Sequence, residues 1–287
     1  MRQIIKIPLF KPTQDQLDNS IKLGKQYPVT PKQHKTIRKT LLESQKYCCC
    51  YCECVIDISN FHIEHFYEQD DYSSLHSVHS LDYSKNMIGS CEGDKDRKKT
   101  KEVEIEESEV ETDEERNLRV SNTSCGHKKG KDYHKKVSVD YNLLLNPHDN
   151  ITHLFSYREG YISANDDETL TEQEKDKVKY TIKRLALDSR KLTTRRKEVI
   201  EALQNEIINI ANPKDISDYL SDILDETRIE LYPYFSTLKD NFKLFIDEET
   251  SAKSENTEGA IFSKSDVFIL LLPKIQSFNF SKKWKNN

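Results

Sequence analysis

Five of the seven positions from 48 to 54 are cysteine, within the stretch KYCCCYCECVIDISNFHIEHF at residues 46–66. Thiols at that density cannot all pair with one another, because a disulfide demands particular Cα and Cβ separations. The chain carries seven cysteines, an odd number, so a complete disulfide framework is excluded as well. In a reducing compartment, clustered cysteines serve as metal ligands or redox groups more often than as disulfides. Any fold this chain adopts must bring soft ligands together here.

The compartment is read from the rest of the chain. The amino terminus, MRQIIKIPLFKP, lacks the continuous apolar segment and small-residue cleavage site of a secretory signal. The longest apolar run, VFILLLP at 267–273, is far short of the ~20 residues needed to cross a bilayer. A cytoplasmic protein without a membrane span is expected. The 287 residues allow one large domain or two modest ones, and 7 glycines and 8 prolines exclude fibrous and low-complexity classes. The net charge of −5 conceals segregation: KDRKKTK at 95–101 and HKKGKDYHKK at 127–136 are basic, while EVEIEESEVETDEE at 102–115 between them is acidic. Binding responds to the local field, so a basic face for nucleic acid can coexist with a negative sum. Solvated charge on surface loops explains either run alone equally well.

Residues 2–10 read as a short strand or extended arm. In residues 30–45, Thr30 can cap, Pro31 suits a first turn, and Ile37, Leu41 and Leu42 share a face, which predicts a helix leading into the cysteines. Residues 55–66 suggest a short hairpin around Asn60. Residues 92–124 look inserted, and 142–163 carry turn signals between short apolar runs. From about residue 168 the pattern is helical. Thr171 with Glu174 forms a capping box before Val178, Ile182 and Leu185. Further stripes join Val199, Leu203, Ile207 and Ile210, then Ile216, Leu220, Ile223 and Leu224, then Leu231, Phe235, Leu238 and Phe242.

Cys49 and Cys52 form a Cys-x-x-Cys knuckle, whose turn can aim two thiolates at one tetrahedral ion. Rival registers remain open, Cys48-x-Cys50 and Cys52-x-Cys54 among them. A second pair is needed, and Cys91 and Cys125 are the cysteines left downstream, on either side of the charged stretch. If that stretch bulges out, its ends close a four-cysteine structural site. Idle buried thiols are the plainer alternative. In HIEH at 62–65, a strand would point His62 and Glu64 one way and His65 the other. Imidazole can take a proton from water near neutral pH, and a carboxylate can hold a hard cation.

The order of these pieces resembles the zinc-stapled HNH nucleases with their ββα-metal core. The resemblance is closer still to the HNH proteins found beside ATPases in antiphage systems, namely the PtuB component of Septu and similar retron-associated nucleases. It is carried by CCYCE at 49–53, HIEHF at 62–66, YSKNMIGSC at 83–91, CGHKKG at 125–130 and LLLNPHDNITHLFSYREGYI at 143–162, with TIKRLALDSRKLTTRR at 181–196 similar to the helix–turn–helix segment that follows. The implied fold class is α+β: an arm and helix over 1–44, a zinc-stapled HNH core over 45–165 with the insertion at about 92–124, and a mainly helical region over 166–287. The resemblance implies Cys49, Cys52, Cys91 and Cys125 as ligands of structural Zn²⁺, and His65 as the base that activates water. Glu64 would hold a catalytic Mg²⁺ or Mn²⁺, Asn86 would brace the hairpin, and His127 would be the last H. His148 and His153 stand in reserve, and His62 is expected to matter less. Two positions depart from the family pattern: Glu64 stands where Asp is frequent, and Gly126 occupies the place directly after the last cysteine.

The implied activity is phosphodiester hydrolysis of nucleic acid, DNA ahead of tRNA or other RNA, as the effector of a defence system. Lys128, Lys129, Lys131, Lys135 and Lys136 can hold backbone phosphates, which position a strand without reading its sequence. The resemblance also implies an ATPase partner of the PtuA type. The chain has no Gly-x-x-x-x-Gly-Lys-Ser/Thr loop of its own. Tyr232, Tyr234, Phe235 and Trp284 are candidate anchors for that partner. A non-catalytic zinc module that binds nucleic acid or a protein is the rival reading; a redox protein is a weaker one, since no thioredoxin-like context surrounds the knuckle.

The composition of the insertion predicts that it is dispensable for the metal centre. Deleting residues 100–118 should leave zinc content unchanged by elemental analysis, and loss of the metal would show that the segment is structural.

Overall fold

Helix α2, Pro31–Ser44, begins where its sequence places it. Thr30 accepts from Gln33 N, the Gln33 side chain reaches back to the Thr30 amide, and Pro31 fills the first turn. Ile37, Leu41 and Leu42 then face inward. A computed structural model describes residues 1–25, 29–67, 78–92, 124–134, 139–210 and 212–243, with backbone alone for 130–134 and 213–214. The described residues all fall within one compact unit. The apolar run at 267–273, Trp284 and nearly all of the charged insertion lie outside the described residues, as do Lys135 and Lys136.

Residues 1–10 form an extended arm, tied down by Ile4 N donating to Pro147 O at 2.8 Å. Helix α1, Lys11–Lys22, follows, with a proline in its first turn and only Thr13 and Leu17 buried. The hydrophobic pattern did not predict it, because so narrow an apolar stripe carries little periodic signal. The hairpin expected around Asn60 is also corrected. Asp57 Oδ1 accepts from both Ser59 N and Ser59 Oγ at 2.6 Å, and Asn60 Oδ1 accepts from Asp57 N at 2.7 Å. These local bonds fold 57–60 into a turn. Strand β1, Phe61–His65, pairs instead with the distant β2, Met87–Cys91, antiparallel with Phe61 opposite Cys91 and His65 opposite Met87. Helix α3, Cys125–His134, packs on β2.

The turn signals of 142–163 give a two-residue ribbon, β3 Phe155–Ser156 against β4 Ser163–Ala164. Among the described residues four helices follow: α4 Glu172–Leu185, α5 Arg190–Ile208, α6 Pro213–Ile223 and α7 Phe235–Phe242. The capping box of Thr171 and Glu174 opens α4, and Val178, Ile182 and Leu185 are buried on its inner face. One apolar cluster joins the arm, α2, the hairpin and α4, from Met1 and Leu17 through Phe61 and Ile88 to Leu185. A second joins α5, α6 and α7 through Ile200, Leu203, Leu220, Ile223, Phe235 and Phe242, with Cys48 reaching into it. Each such side chain contributes about 1.5–3 kcal/mol by leaving water.

The carboxy-terminal aromatics are accordingly not a free surface. Tyr234 and Phe235 are buried, and Tyr232 alone of the three remains 36% exposed.

Burial, aided by the Lys6 charge, pulls the His148 imidazole from its ordinary 6.5 to about 4. It is neutral when folded and takes up a proton on unfolding, so its share of stability is present above about 6.5 and is lost as pH falls toward 4. His148→Gln should reduce the acid-side loss of stability by on the order of 1–3 kcal/mol between neutral pH and 4.5. Urea midpoints for both proteins check this; parallel pH curves would show that His148 plays no part.

Candidate metal centre and active site

The sulfurs of Cys49, Cys52, Cys91 and Cys125 all lie within 4.8 Å of one another. Cys52 Sγ and Cys91 Sγ are 3.8 Å apart, which matches the edge of about 3.8 Å spanned by thiolates ~2.3 Å from a tetrahedral ion. Three chain segments deliver them: the knuckle, the last residue of β2 and the first residue of α3. Four soft donors in this arrangement can hold a metal ion such as zinc and leave no position for water. The neighbouring backbone suits thiolates. Cys91 N donates to Cys49 Sγ at 3.3 Å. Hydrogen bonding from the Cys125 thiol, the chief cause, draws Cys52 down to about 6.

Of the other cysteines, Cys50 and Cys54 hydrogen-bond to thiols of the centre, while Cys48 faces away from it. Cys48 Sγ faces the carbonyls of Leu231 and Tyr232 at 3.9 Å, and burial pushes its thiol up to about 12, as befits a small hydrophobe. Cys50 is buried, its amide donating to Gly89 O at 3.1 Å. Cys54 is half-buried at the edge of the centre. The convergent register is therefore Cys49–Cys52, which the sequence had left open.

Two polar side chains fix the knuckle in place, and neither stood out in the sequence. The Gln45 amide, fully buried, accepts from Gly89 N at 2.6 Å and donates to Gly89 O at 2.8 Å and to Cys48 O at 2.9 Å. It thereby ties the end of α2 to the middle of β2. Glu53, just past the knuckle, accepts from Ser236 N and Ser236 Oγ at 2.7 Å, and the Met1 ammonium lies 3.5 Å from it. A carboxylate at the amino end of α7 is favoured by the exposed amides there.

Beside the centre, the β1–β2 hairpin and α3 assemble the second group. Asn86 is buried; its Oδ1 accepts from Tyr67 N at 2.7 Å and its carbonyl from Phe66 N at 2.9 Å. It fastens the backbone directly after His65. His65 is largely enclosed, and burial pulls its imidazole down to about 4, so it is neutral near pH 7. Glu64 is buried on the face it shares with His62, whose Nε2 stands 3.4 Å from Glu64 Oε2. Burial alone would raise the Glu64 carboxyl, but the Lys129 ammonium, 2.6 Å from Oε1, outweighs it and holds the group down to about 2.

Lys129 corrects an expectation. It does not face solvent to meet phosphates: it is 2% exposed and also donates to the carbonyls of His65 at 2.6 Å and Phe66 at 2.9 Å. The signal was present in its place one helical turn after Cys125, which puts both on one face of α3. Lys128 is half-exposed, and the Lys131 side chain lies outside the described residues. His127 places its ring 4.5 Å from that of His62, centroid to centroid. The reserve histidines lie elsewhere: His148 in the loop whose carbonyl accepts from the Gln3 side chain, and His153 in the exposed 3₁₀ turn Thr152–Leu154.

No family model and no curated protein matches this sequence.

Because three segments meet at the sulfurs, a metal ion held there would couple binding to folding. Cys91→Ser and Cys52→Ser should each release the metal and lower the melting temperature, whereas Cys48→Ser and Cys54→Ser should retain it by elemental analysis. Metal loss from the latter pair with retention in Cys52→Ser would overturn the ligand set.

Proposed function

We propose that this chain is a metal-dependent HNH-type endonuclease that hydrolyses phosphodiester bonds. The observation that carries the reading is the convergence of Glu64, His65 and Asn86 on one hairpin stapled by the four-cysteine centre. A phosphodiester resists attack because its charge repels nucleophiles and its leaving oxygen is poor. The four thiols suit structural zinc. Glu64 Oε2 with the imidazoles beside it suits a second, catalytic divalent ion such as Mg²⁺ or Mn²⁺, which when bound neutralises the scissile phosphate and the departing oxygen.

The chain's own groups do the remainder. His65, neutral at working pH, takes the proton from the attacking water, worth ~10²–10⁴-fold. Asn86 holds the backbone that carries it. Lys129 fixes the Glu64 carboxylate, and half-exposed Lys128 is the lysine we assign to a backbone phosphate. No part of this set reads bases, so restraint has to come from elsewhere, and an ATPase partner of the PtuA type in an antiphage system is the source we favour. DNA is the preferred target, ahead of tRNA or other RNA. With Tyr234 and Phe235 internal, the partner surface among the described residues is reduced to positions such as Tyr232. A second reading, a non-catalytic zinc module, draws on the Glu64–Lys129 pair, since a purely structural ion pair has the same geometry.

Cleavage of DNA and RNA in Mg²⁺ or Mn²⁺, with and without a PtuA-type ATPase, separates the readings. The complex should cut, and His65→Ala should lose at least ~10²-fold of the rate with zinc content and melting unchanged. Full activity in His65→Ala removes it as the base. A wild-type complex that cuts neither nucleic acid favours the module.

A further inference from the structure

Past the knuckle the chain turns back and brings a fifth thiol, that of Cys54, to the metal centre. Glu53 N donates to Cys49 O at 3.1 Å and Cys49 N to Cys54 O at 2.9 Å, which closes residues 49–54 into a ring. Between Cys52 and Cys54, Glu53 stands at φ 64, in the left-handed region that a residue other than glycine enters only at a cost. Its buried carboxylate, met by Ser236 N and Oγ, holds the backbone there. The Cys54 thiol, so directed, hydrogen-bonds with the sulfurs of Cys49, Cys52 and Cys91.

Those are the same three sulfurs that the Cys125 thiol meets. A triangle of sulfurs has two faces, and one sulfur fills each. Cys125 covers one face to complete the group of four, so Cys54, reaching the same three, covers the other. Cys48 has no such place, since it faces the carbonyls of Leu231 and Tyr232. Cys125 is itself held at a cost, because it opens α3 at φ 58.

We propose that Cys49, Cys52, Cys54 and Cys91 form a second site for a thiolate-seeking divalent ion such as Zn²⁺, which shares three ligands with the first. The ion crosses the common face and exchanges Cys125 for Cys54. The Cys54 sulfur bonds to the metal and gives up its proton, the Cys125 sulfur leaves and takes one, and the charge of the centre is unchanged. Zn²⁺ suits the exchange: its d electrons impose no geometry, and a fifth ligand is accepted in passing. The two sites differ in what they tie together. The first includes the opening residue of α3, whereas the second is drawn from the knuckle and β2 alone. An ion in the second site therefore keeps the hairpin cross-linked while α3, with His127 and Lys129, is released from the centre. This stands whether or not the chain cuts nucleic acid.

The test uses the full chain, freed of metal under reducing conditions, with Co²⁺ as the probe, because its visible bands count the sulfurs around it. Wild type, Cys54→Ser and Cys125→Gly should each show four sulfurs; glycine suits the left-handed position and spares the fold. Cys54→Ser combined with Cys125→Gly should show three sulfurs and bind Co²⁺ at least ~10²-fold more weakly than either single variant. Three sulfurs in Cys125→Gly, or four in the double variant, would overturn the proposal. Wild type gives a check that needs no substitution. Brief alkylation of the zinc-loaded chain should label Cys54 or Cys125, never both in one molecule, with zinc retained in native mass spectra. A Cys125 that stays unlabelled while zinc is retained would overturn it equally.

Discussion

Four sulfurs within 4.8 Å of one another bring three segments of this structure to one point. Two come from a tight turn, one from the end of β2 and one from the start of α3, segments separated in sequence by the charged stretch. A two-stranded hairpin is marginal in water by itself, and a ten-residue helix is below the length that stands alone. Phe61, Met87 and Ile88 anchor the hairpin in the larger apolar cluster, and a metal ion held by the four sulfurs would add a cross-link at the point where β1, β2 and α3 meet.

The rest of the chain is fitted to the back of the same knuckle. Glu53 is buried, which costs free energy unless its charge is met. It is met by Ser236, at the start of α7, and by the Met1 ammonium. Tyr234 N donates to Glu53 O at 2.8 Å, and Leu231 N to Lys46 O at 3.2 Å. The carboxy-terminal helices are therefore latched to the metal centre by polar contacts and then covered by the apolar cluster of α5, α6 and α7. Removing the Glu53 carboxylate would strand an amine and two donors in a dry interior.

The sequence shows α2 and the carboxy-terminal helices well, because Thr30 with Gln33 and Thr171 with Glu174 are reciprocal caps and the apolar stripes that follow keep a single face, whereas α1 and α3 give no such signal. It hides what depends on distance along the chain. Residues 55–59 have a β-like composition, yet local Asp57 and Asn60 bonds consume their polar groups and β1 finds its partner some twenty residues on. Of the candidate site, the four converging cysteines could be named, while the competing knuckle registers could be decided only by which sulfurs the fold brings within 4.8 Å of one another. Lys129 was misread for a similar reason: a lysine in a basic run looks solvated until a buried carboxylate is brought against it.

The protonation states that result are consistent with one another. Glu64 is held near 2 by Lys129, and burial leaves His65 titrating near 4. Carboxylate and imidazole are thus both in the forms that metal binding and proton abstraction need, across the whole range above mild acid. Holding a metal requires the thiols to be deprotonated, so protons would compete with a bound ion for the four-cysteine centre as acidity rises.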